Sequence, residues 1–350
     1  MGLMVHSLPP HTLPELKVRL NMDHSPGNLR LLSPGGNARW GRCCFDINPA
    51  PGGEADYGIV FANARPLDRF ACAPENTLFI AAEPLEKKLY PRGYYRQFHR
   101  LVDTHAESRH PRLEINCLGM CWHVGLDLRD YTYRYGYDHL DTLARPPKQN
   151  RISVVCSNAA RTPGQRRRLG FLAELKRLLG DRMVHFGRGF EPINDKMDAI
   201  LPYRFNLVLE NCQTPNYWTE KLSDAYLGWA FPFYVGCPNV GEFFNPDAFE
   251  ALDMGDPAKV ARLIETRLDT ADDDGVESAA ITVARRQILD AYNPFAWCAR
   301  WAEAWHRPLP AKPLVIRSHR AFRPFPQDVI YRLRSALAER KHGTADSVNR

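Results

Sequence analysis

The stretch YRFNLVLENCQTPNYWTEKLSDAYLGWAFPFYVG (Tyr203–Gly236) decides the fold. Its first part, YRFNLVLEN, and its last, FPFYVG, are short and almost continuously apolar, as strands covered on both faces are, and TEKLSDAYLGWA between them reads as a helix. Strand, helix and strand at that spacing make a βαβ unit with parallel strands. Upstream, RISVVCSN (Arg151–Asn158) is another buried strand, and MVHFGRG (Met183–Gly189) is a further one that ends in a glycine turn. Between them, GQRRRLGFLAELKRLLG repeats Leu169, Leu172, Leu175 and Leu179 at helical spacing, with Gly180 as the stop. Downstream, DPAKVARLIETRL and the aromatic-rich NPFAWCARWAEAWHR (Asn293–Arg307) read as helices.

The N-terminal half shows the same alternation more weakly. LKVRLNM (Leu16–Met22) alternates as a strand, and YGIVFANA (Tyr57–Ala64) and TLFIAAEP (Thr77–Pro84) are nearly continuous apolar runs. The Pro- and charge-rich DTLARPPKQN (Asp141–Asn150) then interrupts the pattern and marks the expected boundary. The expected architecture is α/β, with Rossmann-like domains over 1–150 and 151–311 and a basic tail over 312–350.

With 350 residues, 44% apolar and 25% charged, the chain can bury more than one core. The net charge is +6, and Lys312–Arg350 alone, with nine basic and three acidic residues, carries that excess. The balanced body argues against a nucleic-acid groove, which needs a basic face on the folded domain. Nine cysteines, among them Cys156, Cys212 and Cys237 in apolar surroundings, read as thiols of a reducing compartment. No apolar run approaches the roughly 18 residues of a membrane span. The N-terminal MGLMVHSLPP lacks the pattern of a signal peptide, and His6 stands where Met1-Gly2 acylation wants Ser or Thr. The expected location is the cytoplasm.

Polar groups converge at one end of the predicted sheet. Glu210 and Asn211 end a buried strand, and Tyr217, Thr219, Glu220 and Lys221 open the next helix. Groups leaving a parallel sheet at its carboxyl edge sit where ligands bind, and a helix N-terminus favours an anion, to which Lys221 adds a positive charge. Taken singly, Thr219 is a cap, Glu220 a first-turn acid and Lys221 a surface residue; together they read as a binding site.

FNLVLENCQTPNYWTEKLSDAYLGWAFPFYVGCPNVGEFFNPDAF (Phe205–Phe249) resembles the signature region of the family 10 glycosyltransferases, α1,3/α1,4-fucosyltransferases that use GDP-fucose. The likeness runs through the E-N pair, Y-x-T-E-K, the G-x-P turn and the N-P-x-x-F close, and extends upstream to SVVCSN and HFGRG. It implies a GT-B fold, two Rossmann-like domains facing a cleft, and inverting transfer of L-fucose from GDP-β-L-fucose to a glycan hydroxyl. The acceptor so implied is a GlcNAc-type saccharide, with lipid-linked glycans among the candidates. By the same resemblance, Lys221 and an arginine aligned at Arg168 hold the donor diphosphate, with Arg166 and Arg167 as alternative registers. Glu210 belongs to the same donor site, Glu220 faces the ribose, Asn211 and Tyr217 line the sugar–phosphate pocket, and Gly187 permits close approach to the nucleotide.

The resemblance implies a catalytic carboxylate at the end of an N-terminal-domain strand. Glu83 in LFIAAEP fits that place, with Glu86 as the competitor. A sugar hydroxyl is a poor nucleophile, and a positioned carboxylate takes its proton as the new bond forms. A different GDP-sugar as donor, or binding without turnover, are the competing functions. No cofactor or metal is expected: the acidic run Asp272-Asp273-Asp274 reads as a solvated loop, and Cys117, Cys121 and His123 lack a fourth zinc ligand, so Lys and Arg must neutralise the leaving GDP. In the tail, Val329, Leu333 and Leu337 form an apolar stripe among Arg332, Arg334, Arg340 and Lys341, which suits either peripheral contact with anionic lipid or docking on the protein itself.

Overall fold

A computed structural model of the chain describes residues 13–22, 25–161, 163–270 and 275–323. Two units emerge, one drawn from 1–24, 38–114 and 295–350 and the other from 25–37 and 115–294. The first contains β1 (Leu16–Met22), β2 (Arg39–Trp40), β3 (Cys43–Ile47), β4 (Tyr57–Phe61), β5 (Leu67–Cys72), β6 (Thr77–Ile80), a short α1 (Arg92–Tyr95), β7 (Arg100–Asp103) and β8 (Leu113–Ile115). Seven of these strands form one sheet in the order β2-β3-β1-β4-β6-β7-β8, in which β3, β1, β4, β6 and β7 run parallel. β4 and β6 are buried throughout, as continuous apolar runs demand. The Phe79 ring meets Tyr90 and Tyr94 edge-on at 4.9 and 5.1 Å in the packed layer above β6.

In the second unit, β9 (Leu126–Asp127), β10 (Thr132–Tyr133) and α2 (Tyr137–Thr142) precede β11 (Gln149–Val155), α3 (Pro163–Leu179) and β12 (Met183–Phe186). Then follow α4 (Lys196–Ile200), β13 (Tyr203–Leu209), α5 (Glu220–Leu227), β14 (Phe231–Val235), β15 (Glu250–Ala251), α6 (Pro257–Asp269) and α7 (Val276–Asp290). The sheet runs β12-β11-β13-β14-β15, all parallel. Its core joins Ile152, Val154, Phe205 and Phe233 of the strands to Leu172 and Leu175 of α3 and Ile264 of α6. The chain returns to the first unit through α8 (Pro294–Trp305) and β16 (Lys312–Arg317), which pairs antiparallel with β5.

This division differs from the boundaries at 150 and 311 that composition suggests. Residues 115–148 pack with the second sheet because their polar groups are satisfied there: Asp224 accepts the His123 and Val124 backbone N–H groups, and Leu143 O accepts the Trp229 indole N–H at 3.0 Å. At the other end, Phe45 meets Phe295 edge-on at 5.2 Å, and Asn76 bonds Arg307 through both its amide groups, so the aromatic helix belongs to the first unit. Lys312–Arg317, expected in the tail, is an edge strand. The tail stripe around Val329 and the acidic run Asp272–Asp274 lie outside the described residues.

β1 departs from the expected alternation. Only Lys17 is exposed, while Arg19 and Asn21 turn inward onto Asp68, with Arg19 paired to it at 2.6 Å. A buried carboxylate shared by two donors replaces the solvent that an alternating strand presents on one face.

In each sheet the chain steps outward from its first parallel strand on one side and then resumes on the other. The second unit's switch point lies between the carboxyl ends of β11 and β13, where Val155 and Leu209 give way to Cys156 and Glu210. That crevice is the site an open parallel sheet offers a ligand.

Candidate active site

β13 carries Glu210 out of the sheet buried, and a parallel pairing with β14 holds its backbone: the Glu210 N–H donates to Val235 O at 2.8 Å. No side chain fits at Gly236 beside it, since a Cβ there would sit 2.5 Å from the Glu210 Cγ. The Glu210 carboxylate accepts the Thr219 backbone N–H at 2.7 Å and the Thr219 hydroxyl at 2.7 Å. Thr219 is the N-cap of α5, and its hydroxyl oxygen accepts the Lys221 backbone N–H. The strand end and the helix start are thus tied by one buried acid.

Lys221 occupies the first turn of α5. Its ammonium lies 3.1 Å from Glu220 and 3.4 Å from Glu210 and donates to the Thr219 hydroxyl at 3.0 Å. Burial works against the charge of Lys221, but Glu220 and Glu210 outweigh it and raise its pKa above the usual lysine value. Burial pushes Glu210 up, with Lys221 opposing. For Glu220, burial acts upward, yet Lys221, Lys196 and His123 together hold it well below the carboxylate range. An ammonium fixed at a helix N-terminus, with its positive end of the dipole, is a ready partner for a phosphate oxygen.

Of the arginine run on α3, Arg168 is the one that reaches this edge. Its Nη1 donates to Glu210 O at 3.3 Å and to the Asn211 side-chain oxygen. Its Nε is buried with no hydrogen-bond partner. Arg166 instead donates to Ala160 O and Arg161 O, and Arg167 is exposed. The helical rotation that buries Leu172 and Leu175 is what sets this register. Cys156, at the end of β11, feels both Arg168 and Lys221, although burial still raises its thiol pKa.

Tyr217 is buried in the loop before α5, and Asn216 there adopts φ 61°, held by reciprocal bonds with Asn239 at 2.8 and 2.9 Å. Gly187 has φ 125°, and a Cβ would stand 2.7 Å from Cys156 O, so its close approach is to the end of β11. Asn211 is exposed.

Sequence reasoning passed over Lys196 and Asp224, and weighed His123 only as a zinc ligand. Lys196 opens α4 and pairs with the buried Asp224 of α5 at 2.7 Å and with Glu220 at 3.5 Å. The His123 imidazole lies 3.9 Å from Glu220, and burial, then Lys196, lowers its pKa. Asp224 stands four residues after Glu220 on one helix face, which was a usable signal. Lys196 and His123 arrive from distant segments, and nothing local marks them. Among the described residues no group of three or more His, Cys, Asp or Glu is placed to hold a metal ion.

In the first unit, Glu83 follows β6 at the carboxyl edge of its sheet, partly exposed, at the start of a turn closed by the Lys87 and Lys88 N–H groups on Pro84 O. Its carboxylate pairs with Lys87 at 2.6 Å. The neighbouring strand β7 ends in Asp103, which is buried and is raised by burial, while His105 lies 3.4 Å from it. Glu83 and Asp103 both bear on the buried Tyr90 phenol, which burial raises most. Glu83 after β6 and the Asp103–His105 pair at the end of β7 therefore both lie at this edge.

Two doubly wound parallel sheets in one chain, with Lys221 and Arg168 at the carboxyl edge of the second, make a pair of Rossmann-like units of the GT-B type. Residues 146–274 match the model of "Glycosyltransferase family 10 (fucosyltransferase) C-term". It is 34% identical over 104 residues, 30% of this chain, to the alpha-(1,3)-fucosyltransferase FucT of Helicobacter pylori, of which it covers 21%. Over 86 residues, 23% of this chain, it is 35% identical to human 4-galactosyl-N-acetylglucosaminide 3-alpha-L-fucosyltransferase FUT6, of which it covers 24%. The match thus spans less than a quarter of each relative's length. A solved alpha1,3-fucosyltransferase with GDP-fucose is similar at 18% identity and TM-score 0.42, over 84% of this chain and 85% of that one.

Proposed function

We propose that the chain is an inverting fucosyltransferase that moves L-fucose from GDP-β-L-fucose to a glycan hydroxyl. The observation that carries this reading is the Lys221 ammonium fixed at the N-terminus of α5, with the Arg168 guanidinium at the same sheet edge. Two cations there would take the pyrophosphate, and their charge would stabilise the departing GDP without a divalent ion. Glu220 would accept from the ribose, with Lys196 and His123 holding it ionised and oriented. The family match over 146–274 supports the GDP-fucose assignment.

Glu83 is the proposed base. In the reaction it takes the proton of the acceptor hydroxyl while that oxygen bonds to the anomeric carbon and the GDP oxygen leaves from the opposite face, so the configuration inverts. Its place after β6, at the carboxyl edge, supports the role. A GlcNAc-type or lipid-linked saccharide is the proposed acceptor. Among the described residues no helix is long and apolar enough to cross a membrane, and peripheral attachment is proposed only through the basic tail.

The test is incubation with GDP-fucose and a panel of N-acetyllactosamine-type and lipid-linked acceptors, with GDP-mannose as the alternative donor. Fucosylated product from GDP-fucose alone supports the reading. Preference for GDP-mannose, or binding of GDP-fucose with no transfer to any acceptor, contradicts it.

A further inference from the structure

The first unit carries a cavity of about 530 Å³ whose lining includes Arg92, Arg96, Arg109, Arg112, His99 and His110 and no carboxylate. Its wall comes from α1 and from the segments that lead into β7 and β8. Pro74 and His99, which also line it, precede β6 and β7, whereas Glu83 follows β6 and Asp103 ends β7. The cavity therefore opens at the amino end of these strands, away from the carboxyl edge that holds Glu83.

Three exposed arginines elsewhere are ion-paired: Arg39 with Glu15, Arg177 with Glu174, Arg182 with Asp269. Among the described residues the four cavity arginines have no carboxylate within ion-pair distance. The nearby acid Glu107 is engaged by His105 at 3.2 Å instead. Four like charges around one hollow repel one another. A second observation points to a ligand: the His99 Nε2 atom is buried with no hydrogen-bond partner. Arg109 is also held at φ 46°, a conformation a side-chain-bearing residue adopts rarely and one that recurs at ligand clamps.

We propose that this cavity is a second anion site, which takes a phosphate-bearing group through Arg92, Arg96, Arg109 and Arg112, with His99 on its wall. Guanidiniums meet phosphate oxygens bidentately, and a volume of about 530 Å³ accommodates a diphosphate or a phosphorylated sugar rather than a bare ion. The group comes either from a small phosphorylated molecule or from a phospholipid headgroup.

The experiment titrates the full chain, with GDP present in excess, against inorganic pyrophosphate by calorimetry. In parallel, co-sedimentation compares phosphatidylcholine vesicles with and without phosphatidylglycerol. The test variant is Arg96→Ala/Arg112→Ala; both residues are exposed, and circular dichroism with an unchanged thermal midpoint verifies its fold. The proposal expects saturable pyrophosphate binding that weakens about tenfold or more in the variant, or phosphatidylglycerol-dependent sedimentation that falls by a similar factor. The first result assigns a small phosphorylated ligand and the second a headgroup. If neither probe binds, or if binding survives the double substitution, the proposal is overturned. GDP binding by the variant serves as the control, so failure of the donor-site reading would show there and not in the arginine dependence.

Discussion

The Glu210 carboxylate, at the end of β13, accepts both the backbone N–H and the hydroxyl of Thr219, the N-cap of α5. One buried acid therefore fixes the distance between a strand end and a helix start, and with it the place of Lys221. Thr219→Ala removes the cap and one of the two donors to Glu210. The expected loss is about 1–3 kcal/mol of unfolding free energy in urea titration. Thr219→Ser keeps the hydroxyl and stays within about 1 kcal/mol of the native chain.

Lys221 serves one buried and one half-buried carboxylate, so its role in stability and its proposed role in donor binding must be separated. Lys221→Met leaves Glu210 and Glu220 without their shared cation and costs about 3–5 kcal/mol by chemical denaturation. Lys221→Arg retains the charge and most of that stability, yet its planar fork cannot reproduce a point contact on a phosphate oxygen. Binding of GDP to Lys221→Arg is expected to be weaker by about tenfold, measured by calorimetry on protein of native thermal midpoint.

Glu83→Gln removes the proposed proton acceptor and keeps the side chain's size. Transfer from GDP-fucose should fall by about 100-fold or more while the dissociation constant for GDP stays within about twofold, because the base acts on the acceptor. Glu86→Gln should retain transfer near the native rate. The reverse pattern would move the base to Glu86.

How much of this was legible in sequence follows the kind of signal each residue leaves. The apolar runs at Tyr57, Thr77, Ile152, Phe205 and Phe231 all became strands, because both faces of a parallel sheet are covered and the run is continuous, and the alternating Leu16 segment became one too. Glu210 and Lys221 were visible because their partners are within a dozen residues. The domain exchange was not. A Pro-rich stretch marks where a helix cannot continue, but where contacts end is set by long-range bonds such as Asn76 to Arg307 and Trp229 to Leu143, which leave no local trace. The same holds for Arg19, whose buried partner Asp68 lies on another strand.

Among the five buried thiols, burial pushes Cys43 and Cys72 up to about 12 and Cys237 up to about 11 from an ordinary value of 9.0. Because the folded values lie above the unfolded one, their contribution to stability is complete below pH 9.0 and is lost as pH rises toward 11–12. Each thiol should subtract up to about 1.4 kcal/mol per pH unit in that window, and denaturation under reducing conditions at pH 8.5, 9.5 and 10.5 reads it. Native-state alkylation at neutral pH should leave these three cysteines unlabelled.

The most direct test of the account is calorimetric titration of GDP-fucose into the native chain and into Arg168→Ala. Arg168 is partly exposed on α3 and holds no ion pair among the described residues, so its loss leaves the fold intact while removing one of the two cations at the crevice. The account predicts one saturable donor site whose dissociation constant rises by about tenfold or more in the variant, with Arg167→Ala unchanged. Equal affinity in Arg168→Ala and the native chain, or no binding of GDP-fucose to either, would contradict it.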